Sequence, residues 1–374
     1  MRSKRIGVGI VGCGFIAKVH LDAIRQSPDL AEVVAVADVD ELRAREFIET
    51  HAIPRSYPSH QAMLEDPDVQ AVVVAVPNFL HYPVTMDALR AGRHVICEKP
   101  LALSLRQARE MVATAKQHGL TLAYAEELCF VPKFERVREL AQGGGIGRPY
   151  LVRQCEKHAG PYSPWFFKEE EAGGGILMDM GCHSISCIRW VLGKPAVKTV
   201  HAYMRTFLHG EITREEDHVI VLLEFEDGTV GQAESSWALK GGMDSTLEVF
   251  GTEGVVTADL LKGMGLRAYS ENGFDGMWEP NRGWVFPDYE WLWNNGYPQE
   301  DRHFLSCMLD RAQPKESGED GLAVLEVILA AYHSAGIGRK VQLPFQPEGV
   351  DVPVRLWQDP RPELGAGPVE PVVR

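Results

Sequence analysis

Three ionisable side chains stand where their types and spacing suit proton and hydride chemistry: Lys99 in Cys97-Glu98-Lys99-Pro100, and the pair Asp179 and His183. An ammonium that emerges at the end of a strand can donate to a substrate hydroxyl and stabilise developing alkoxide charge. Partial burial is expected to depress its pKa toward proton transfer. Lys99 also reads as a surface lysine before a loop proline. Asp179 and His183 are four apart, so on a helix they share one face. A histidine near its ordinary pKa can remove a hydroxyl proton as hydride leaves the same carbon, and a neighbouring carboxylate raises that pKa or orients a substrate. Ile176, Leu177, Met178 and Met180 surround the pair with apolar neighbours, which equally suits an Asp–His contact satisfied in a core. The preceding Gly173-Gly-Gly175 is expected to let backbone approach a ligand closely.

Those side chains need a scaffold, and the N-terminal residues supply a familiar one. Gly12-Cys-Gly14-Phe15-Ile16-Ala17 fits G-x-G-x-x-A directly after an apolar strand and at the opening of a helix. Gly12 permits the tight turn, Gly14 admits a pyrophosphate against the backbone, and Ala17 allows close helix–strand packing. The helix N-terminus offers unpaired N–H groups to the phosphates. Asp38 closes the second strand, 21 residues past Ala17, where a carboxylate accepts from ribose hydroxyls. A 2′-phosphate would face Asp38, Asp40 and Glu41, with no cation before Arg43, so NAD is favoured over NADP.

Strand and helix patterns alternate through the first 125 or so residues: strands at Ile6–Val11, Glu32–Asp38, Val69–Val76, His94–Cys97 and Thr121–Ala125, with helices between them. That repetition predicts a doubly wound parallel sheet with right-handed crossovers. Longer alternating strands follow at Tyr150–Cys155, Lys198–Arg205, His218–Phe225, Thr229–Ser235 and Thr246–Phe250, with a turn signal at Asp227-Gly228 and another at Gly251-Thr-Glu-Gly254. The predicted fold class is α/β: an N-terminal Rossmann domain over 1–128, an α+β domain with a large, mostly antiparallel open sheet over 129–345, and a Pro-rich tail over 346–374. Helices are expected at Gly181–Leu192 and Gly318–Ser334.

G-x-G-x-x-A after the first strand, Pro77-Asn78-x-x-His81 after the third, Glu98-Lys99-Pro100, and Gly173-Gly-Gly175-Ile-Leu-Met-Asp179-Met-Gly-Cys-His183 occur in that order. Together they resemble the glucose–fructose oxidoreductase/inositol dehydrogenase (Gfo/Idh/MocA) family over essentially residues 5–345. The resemblance implies hydride transfer between NAD(P) and a secondary hydroxyl carbon of a sugar, sugar derivative or inositol. It implies Lys99, Asp179 and His183 as the catalytic group: His183 the general base, Lys99 on the reacting oxygen, Asp179 on a neighbouring hydroxyl. It places Pro77, Asn78, His81, Glu98 and Lys99 beside the cofactor with Gly12, Gly14, Phe15, Ile16 and Asp38, His81 being the weaker assignment as a helix-start histidine open to solvent. Family members often carry an Asn or Arg after the strand equivalent to Thr121–Ala125. Here the residues are Glu126-Glu127, leaving Glu127 as a candidate for sugar hydroxyls. Lys157, His158, Tyr162 and Trp165 follow the first strand of the second domain, where the family places substrate contacts. The family also implies a homodimer or homotetramer through the open sheet. Some relatives cleave glycosidic bonds through transient sugar oxidation and others are non-catalytic nucleotide-binding sensors; these are the alternative readings.

Composition narrows the remainder. Of 374 residues, 38 are Lys or Arg and 52 Asp or Glu, a net charge of −14 that argues against nucleic acid as a partner. Arg2, Lys4 and Arg5 before an apolar run imitate a secretory signal, but four glycines and a following polar helix make the run a strand. No stretch of about 18 unbroken apolar residues suggests a membrane span. Seven dispersed cysteines without a C-x-x-C predict neither a disulfide framework nor a zinc knuckle, and a cytoplasmic location. Cys182, His183, Cys187 and His158 match no familiar ligand spacing, so no metal is expected. Residues 274–297 hold Trp278, Trp284, Phe286, Tyr289, Trp291 and Trp293 without periodicity, read as a substrate lid or a subunit interface.

Overall fold

The computed structural model describes residues 5–261, 268–270, 283–285 and 291–358. Six parallel strands form the first sheet: β1 (Ile6–Val11), β2 (Ala31–Ala37), β3 (Arg55–Tyr57), β4 (Ala71–Val74), β5 (His94–Glu98) and β6 (Leu122–Ala125). Their order is β3-β2-β1-β4-β5-β6. β1 and β4 are buried along their whole lengths, as β-branched strands covered on both faces must be. The covering helices are α1 (Phe15–Ile24), α2 (Glu41–His51), α3 (His60–Leu64), α4 (His81–Arg90) and α5 (Leu105–His118). Asp40 caps α2 and Ser104 caps α5, and Gly119 ends α5 in the left-handed region. The strand order reverses between β1 and β4, so the crevice opens at the carboxyl ends of these two strands. The three-residue β3 was not foreseen, because so short a strand shows no alternation.

The second sheet is built by β7 (Pro149–Lys157), β8 (Val197–Arg205), β9 (His218–Phe225), β10 (Val230–Ser236), β11 (Asp244–Gly251) and β12 (Gly254–Asp259). A separate pair, β13 (Ala268–Ser270) and β14 (Gly283–Val285), stands apart, and β15 (Val341–Gln342) completes the order β12-β11-β7-β10-β9-β8-β15. Only the β7–β10 pairing is parallel, so the sheet is mixed and mostly antiparallel. Both predicted turns join hairpins, β9 to β10 and β11 to β12. On β7, Val152, Gln154 and Glu156 are buried while Arg153, Cys155 and Lys157 face the other side, the open one.

Helices α6 (Pro132–Gln142), α7 (Glu169–Ala172), α8 (Cys182–Val191), α9 (Trp291–Asn294), α10 (Tyr297–Asp310), α11 (Gly318–Ile337) and α12 (Arg355–Gln358) complete the fold. α11 is long and apolar enough to cross a membrane, yet most of it is buried inside the protein. Leu325 and Leu329 join a core cluster of the first sheet, and Val324, Val327 and Ile328 a larger one that runs from the first sheet into the second. A helix apolar all round is a core helix when two layers sandwich it.

The predicted C-terminal arm is not simply extended within its described part. Residues 352–358 fold back as a turn and α12, with Val354 fully buried and its N–H donating to the Gly173 carbonyl at 2.8 Å. Val354→Asp buries an unpaired carboxylate there, and urea denaturation is expected to show a loss of roughly 3 kcal/mol or more. Val39→Asp, on a residue 91% exposed, should change stability by less than about 0.5 kcal/mol.

Candidate active site

Gly12 has φ +94°, and a Cβ there would lie 2.2 Å from the Ala75 carbonyl oxygen, so only glycine lets β1 turn this close to the end of β4. Gly14 has the opposite surroundings: a Cβ would meet nothing within 4 Å. It opens α1 with no side chain capping the first N–H groups, leaving a cradle whose donors face open space. Asp38 is nearly buried at the end of β2; one oxygen accepts from Cys13 N at 2.9 Å and the other from Asp40 N at 2.9 Å. Arg43 reaches within 3.5 Å of its carboxylate. These residues fit a dinucleotide: space and donors for the pyrophosphate, and an acceptor held at the ribose position. Phe15 is exposed at the start of α1, and Ile16 packs with Val19 and Tyr297. Pro77 begins the turn after β4, beside the Gly12 crossing.

Lys99 follows β5 at the carboxyl edge of the parallel sheet. Its Nζ donates to the Asp179 carbonyl at 2.8 Å and to Asp179 Oδ1 at 3.1 Å. Asp179 Oδ2 accepts from Trp237 Nε1 at 2.8 Å and lies 3.6 Å from His158 Nε2. Burial alone would raise the Asp179 carboxyl; the Lys99 ammonium, His158 and the indole N–H hold it well below the usual range. Burial likewise lowers the Lys99 pKa, but Asp179, Cys182, Glu98 and Glu127 outweigh it and carry the pKa above its ordinary value. The expectation of a depressed lysine is therefore corrected: Lys99 is a fixed cation.

Residues Leu177–Gly181 form a π-helical turn that runs into α8, rather than one continuous α-helix. Asp179 and His183 do not pair with each other. His183 Nδ1 lies 2.8 Å from Glu126 Oε1 and 3.6 Å from Glu127 Oε2. Burial pushes the imidazole down to about 4; Glu127 and Asp179 raise it, as the charge of Asp179 leads one to expect, but offset the burial only in part. Tyr297 OH donates to Glu127 Oε1 at 3.2 Å. The glycines before this turn serve the protein rather than a ligand. A Cβ on Gly175 would lie 2.0 Å from the Glu216 carbonyl oxygen, and one on Gly174 would lie 2.0 Å from the Tyr332 hydroxyl. The Glu216 carboxylate accepts from Leu177 N and Tyr332 OH, fixing the start of the turn.

Behind Lys99, Glu98 Oε2 accepts from Lys99 N at 3.1 Å, and Oε1 lies 2.9 Å from His20 Nε2. His20 Nδ1 is 3.1 Å from both oxygens of Asp301. Burial alone would lower the His20 pKa, but Asp301 and Glu98 raise it well above the usual value, so a buried imidazolium ties α1, β5 and α10 together. Two groups, His20–Glu300–Asp301 and Glu126–Glu127–His183, bring potential metal ligands together. In both, an imidazole nitrogen already faces a carboxylate at hydrogen-bonding distance.

Several assigned residues sit elsewhere or act differently. Lys157 lies on the open face of the second sheet, 2.6 Å from Glu234 Oε1, and is not in the site, because strand alternation sends it away from Glu156 and His158. His158 is buried beside Asp179 and stacks on Tyr162 with centroids 4.8 Å apart. Trp165 stacks on Phe166, which meets Trp237 edge-on. His81 is not solvated: its ring nitrogens lie 2.7 Å from the Pro100 carbonyl and 2.9 Å from that of Val76, bracing the loops after β4 and β5. Asn78 Nδ2 donates to the Ala172 carbonyl at 2.8 Å, joining the first domain to the segment that carries Asp179. Glu126, Trp237, Tyr297 and His20 went unrecognised. Glu126 alone had a signal, as an acidic residue at the end of a strand of the parallel sheet. In the aromatic segment, residues 274–282 and 286–290 lie outside those described. Trp291 stands 6.2 Å from Phe15 and 5.6 Å from Tyr297, over the start of α1.

Comparison with known proteins agrees with this geometry. Residues 6–126 match a family model described as an oxidoreductase family with an NAD-binding Rossmann fold, and residues 134–257 match the GFO/IDH/MocA C-terminal domain. A D-glucoside 3-dehydrogenase of Escherichia coli is 30% identical, over 92% of this chain and 99% of its own. Myo-inositol 2-dehydrogenase of Thermotoga maritima is 28% identical, over 90% and 98%. Among solved structures, GenD2 from gentamicin A biosynthesis, in complex with NAD, is 39% identical with a TM-score of 0.88, over 92% of this chain and 98% of that one.

The cradle yields a cofactor test. Asp38→Ala removes the proposed ribose acceptor and leaves Arg43 with Asp40 as its one carboxylate partner among the described residues, so the KM for NAD should rise about tenfold or more while NADP becomes a usable substrate. Steady-state kinetics with both cofactors measure this, and unchanged selectivity would remove Asp38 from the ribose position.

Proposed function

The chain belongs to the GFO/IDH/MocA oxidoreductase family and is an NAD(P)-dependent oxidoreductase of sugar or polyol hydroxyls; from that premise we propose that Lys99, Asp179 and His183 carry the reaction, with NAD preferred. The observation that carries the reading is the buried contact of Lys99 with both the carboxylate and the carbonyl of Asp179, one turn from the His183 imidazole. When bound, the nicotinamide supplies the hydride acceptor. An ammonium has three donors, and two are spent on Asp179, so one remains for the reacting hydroxyl. Because Lys99 stays charged, it stabilises the alkoxide electrostatically rather than taking its proton. The His183 imidazole is uncharged near pH 7, and through a nitrogen that holds its lone pair it receives that proton. Asp179, engaged by Lys99 and Trp237, orients the ammonium more than it binds a second hydroxyl. Glu127, partly exposed, accepts from substrate hydroxyls, with His158, Tyr162 and Trp165 along the adjoining wall.

The open face of the second sheet carries Tyr203, Ile220, Leu222 and Phe250, and we assign it to a homodimer or homotetramer. Seven free cysteines suit a reducing compartment, and we place the protein in the cytoplasm. We take the domains as 1–128 and 129–345, with 346–374 as a Pro-rich C-terminal tail.

The substrate is found by following NADH absorbance across free sugars, inositols and glycosides, including amino-bearing glycosides of the gentamicin type. Stoichiometric NADH without released aglycone is expected, and aglycone release would favour the glycoside-cleaving reading. Lys99→Ala should lower kcat by at least about 10²-fold with NAD affinity held within a few fold; equal loss of NAD binding would show the lysine serves the cofactor. Leu222→Arg on the open face should shift sedimentation from oligomer to monomer, and an unchanged oligomer would place the interface elsewhere.

A further inference from the structure

Glu126 directly follows β6 with no exposed surface, and Oε1 meets His183 Nδ1 at 2.8 Å. Its other oxygen has no hydrogen bond of good geometry among the described residues, with the Ser186 hydroxyl and the Leu128 backbone close enough to act on the carboxyl group, so the imidazole is its one short side-chain contact. His183 Nε2 makes no hydrogen bond among them. A neutral imidazole carries one N–H, and the partner of one nitrogen decides which nitrogen keeps the lone pair.

Resting on the reading of His183 as the base, we propose that Glu126 is its positioning residue: as a carboxylate it accepts the Nδ1–H, which leaves the lone pair on Nε2 for the substrate hydroxyl, and as a carboxylic acid it donates to Nδ1 and leaves Nε2 protonated and unable to act. The change between the two neutral-imidazole states is the loss of one proton from the pair. In the active state the hydroxyl proton passes to Nε2, giving an imidazolium whose Nδ1–H still faces a carboxylate. The arrangement has the logic of a Ser-His-Asp triad, in which the acid fixes the tautomer and stabilises the imidazolium.

The surroundings place this switch within reach of ordinary pH. Glu98 and Lys99 reach the pair from β5, Tyr124 from β6, Glu127 and Cys129 from the following turn, and Asp179 and Cys182 from the π turn and its junction with α8. Ser186 of α8 acts directly on the Glu126 carboxyl, and Cys187 of α8, Glu156 of β7, Tyr297 of α10, and Glu316 with its partner Lys194 stand around the pair. Burial pushes the Glu126 carboxyl up to about 8, with Lys99 and Ser186 opposing. Burial holds the His183 imidazole down at about 4. The step therefore belongs to the carboxyl group, and alcohol oxidation rises with pH as Glu126 ionises.

The test reads the tautomer directly and needs no substrate. Long-range proton–nitrogen spectra of histidine-labelled protein across pH 5–10, with His183 assigned by its loss in His183→Asn, should show Nε2 protonated at low pH and deprotonated, with Nδ1–H, above the step. Glu126→Gln keeps an acceptor for Nδ1–H without a titrating proton, so the step disappears. Glu126→Leu removes the acceptor, Nε2–H persists, and kcat falls by about 10²- to 10⁴-fold while NAD affinity stays within a few fold. An Nε2 that stays protonated in the wild type at every pH, or a tautomer and step unmoved in both Glu126 variants, overturns the proposal. A clean tautomer switch with no sugar oxidised would instead count against the dehydrogenase reading alone.

Discussion

The contact between Lys99 and Asp179 joins residues 80 apart in sequence, one at the end of a strand in the first sheet and one in the turn before α8. Both are largely removed from water, where an unpartnered charge is strongly unfavourable. Each therefore depends on the other, and the two layers must meet closely enough to keep them together. Around this pair the chain places further ties between the layers: Asn78 to the Ala172 carbonyl, His183 to Glu126, and Tyr297 to Glu127. These ties hold the π turn against the carboxyl ends of β5 and β6.

The electrostatics have a consistent sense. Carboxylates from Glu98, Glu126, Glu127, Asp179 and Asp301 crowd around Lys99, His20 and His183. Lys99 and Glu98 are kept charged by their partners, whereas burial favours the neutral forms of His183 and Glu126. A permanent cation beside an uncharged imidazole suits removal of a hydroxyl proton, since one stabilises negative oxygen and the other, once Glu126 has ionised, receives the proton.

What could be read from the sequence divides by range. Gly12 and Gly14 were legible because the strand end, turn and helix start that give them meaning lie within a few residues of one another, and Asp38 because it closes the next strand, one helix further on. Lys99 was legible as the end of a strand in a parallel sheet, although its charge state was not, since that depends on Asp179 far along the chain. Trp237, His20 and Tyr297 carry no local signal; each matters only through a partner in a different element. Lys157 failed for a simpler reason. It and His158 are consecutive, and the alternation that turns His158 toward Asp179 turns Lys157 toward Glu234. The three glycines were read as a close approach to a ligand, but what approaches Gly175 is the Glu216 backbone, Gly174 the Tyr332 hydroxyl and Gly173 the Leu103 side chain.

The placement of α11 has a consequence for motion. A helix whose opposite sides belong to the cores of both sheets acts as a common spine, and an opening that swung the layers apart would strip apolar surface from one side of it. Rigid-body gaping is therefore costly, and exchange of a dinucleotide has to proceed by local rearrangement of the chain around the entrance, with the spine and its two sheets moving as one piece.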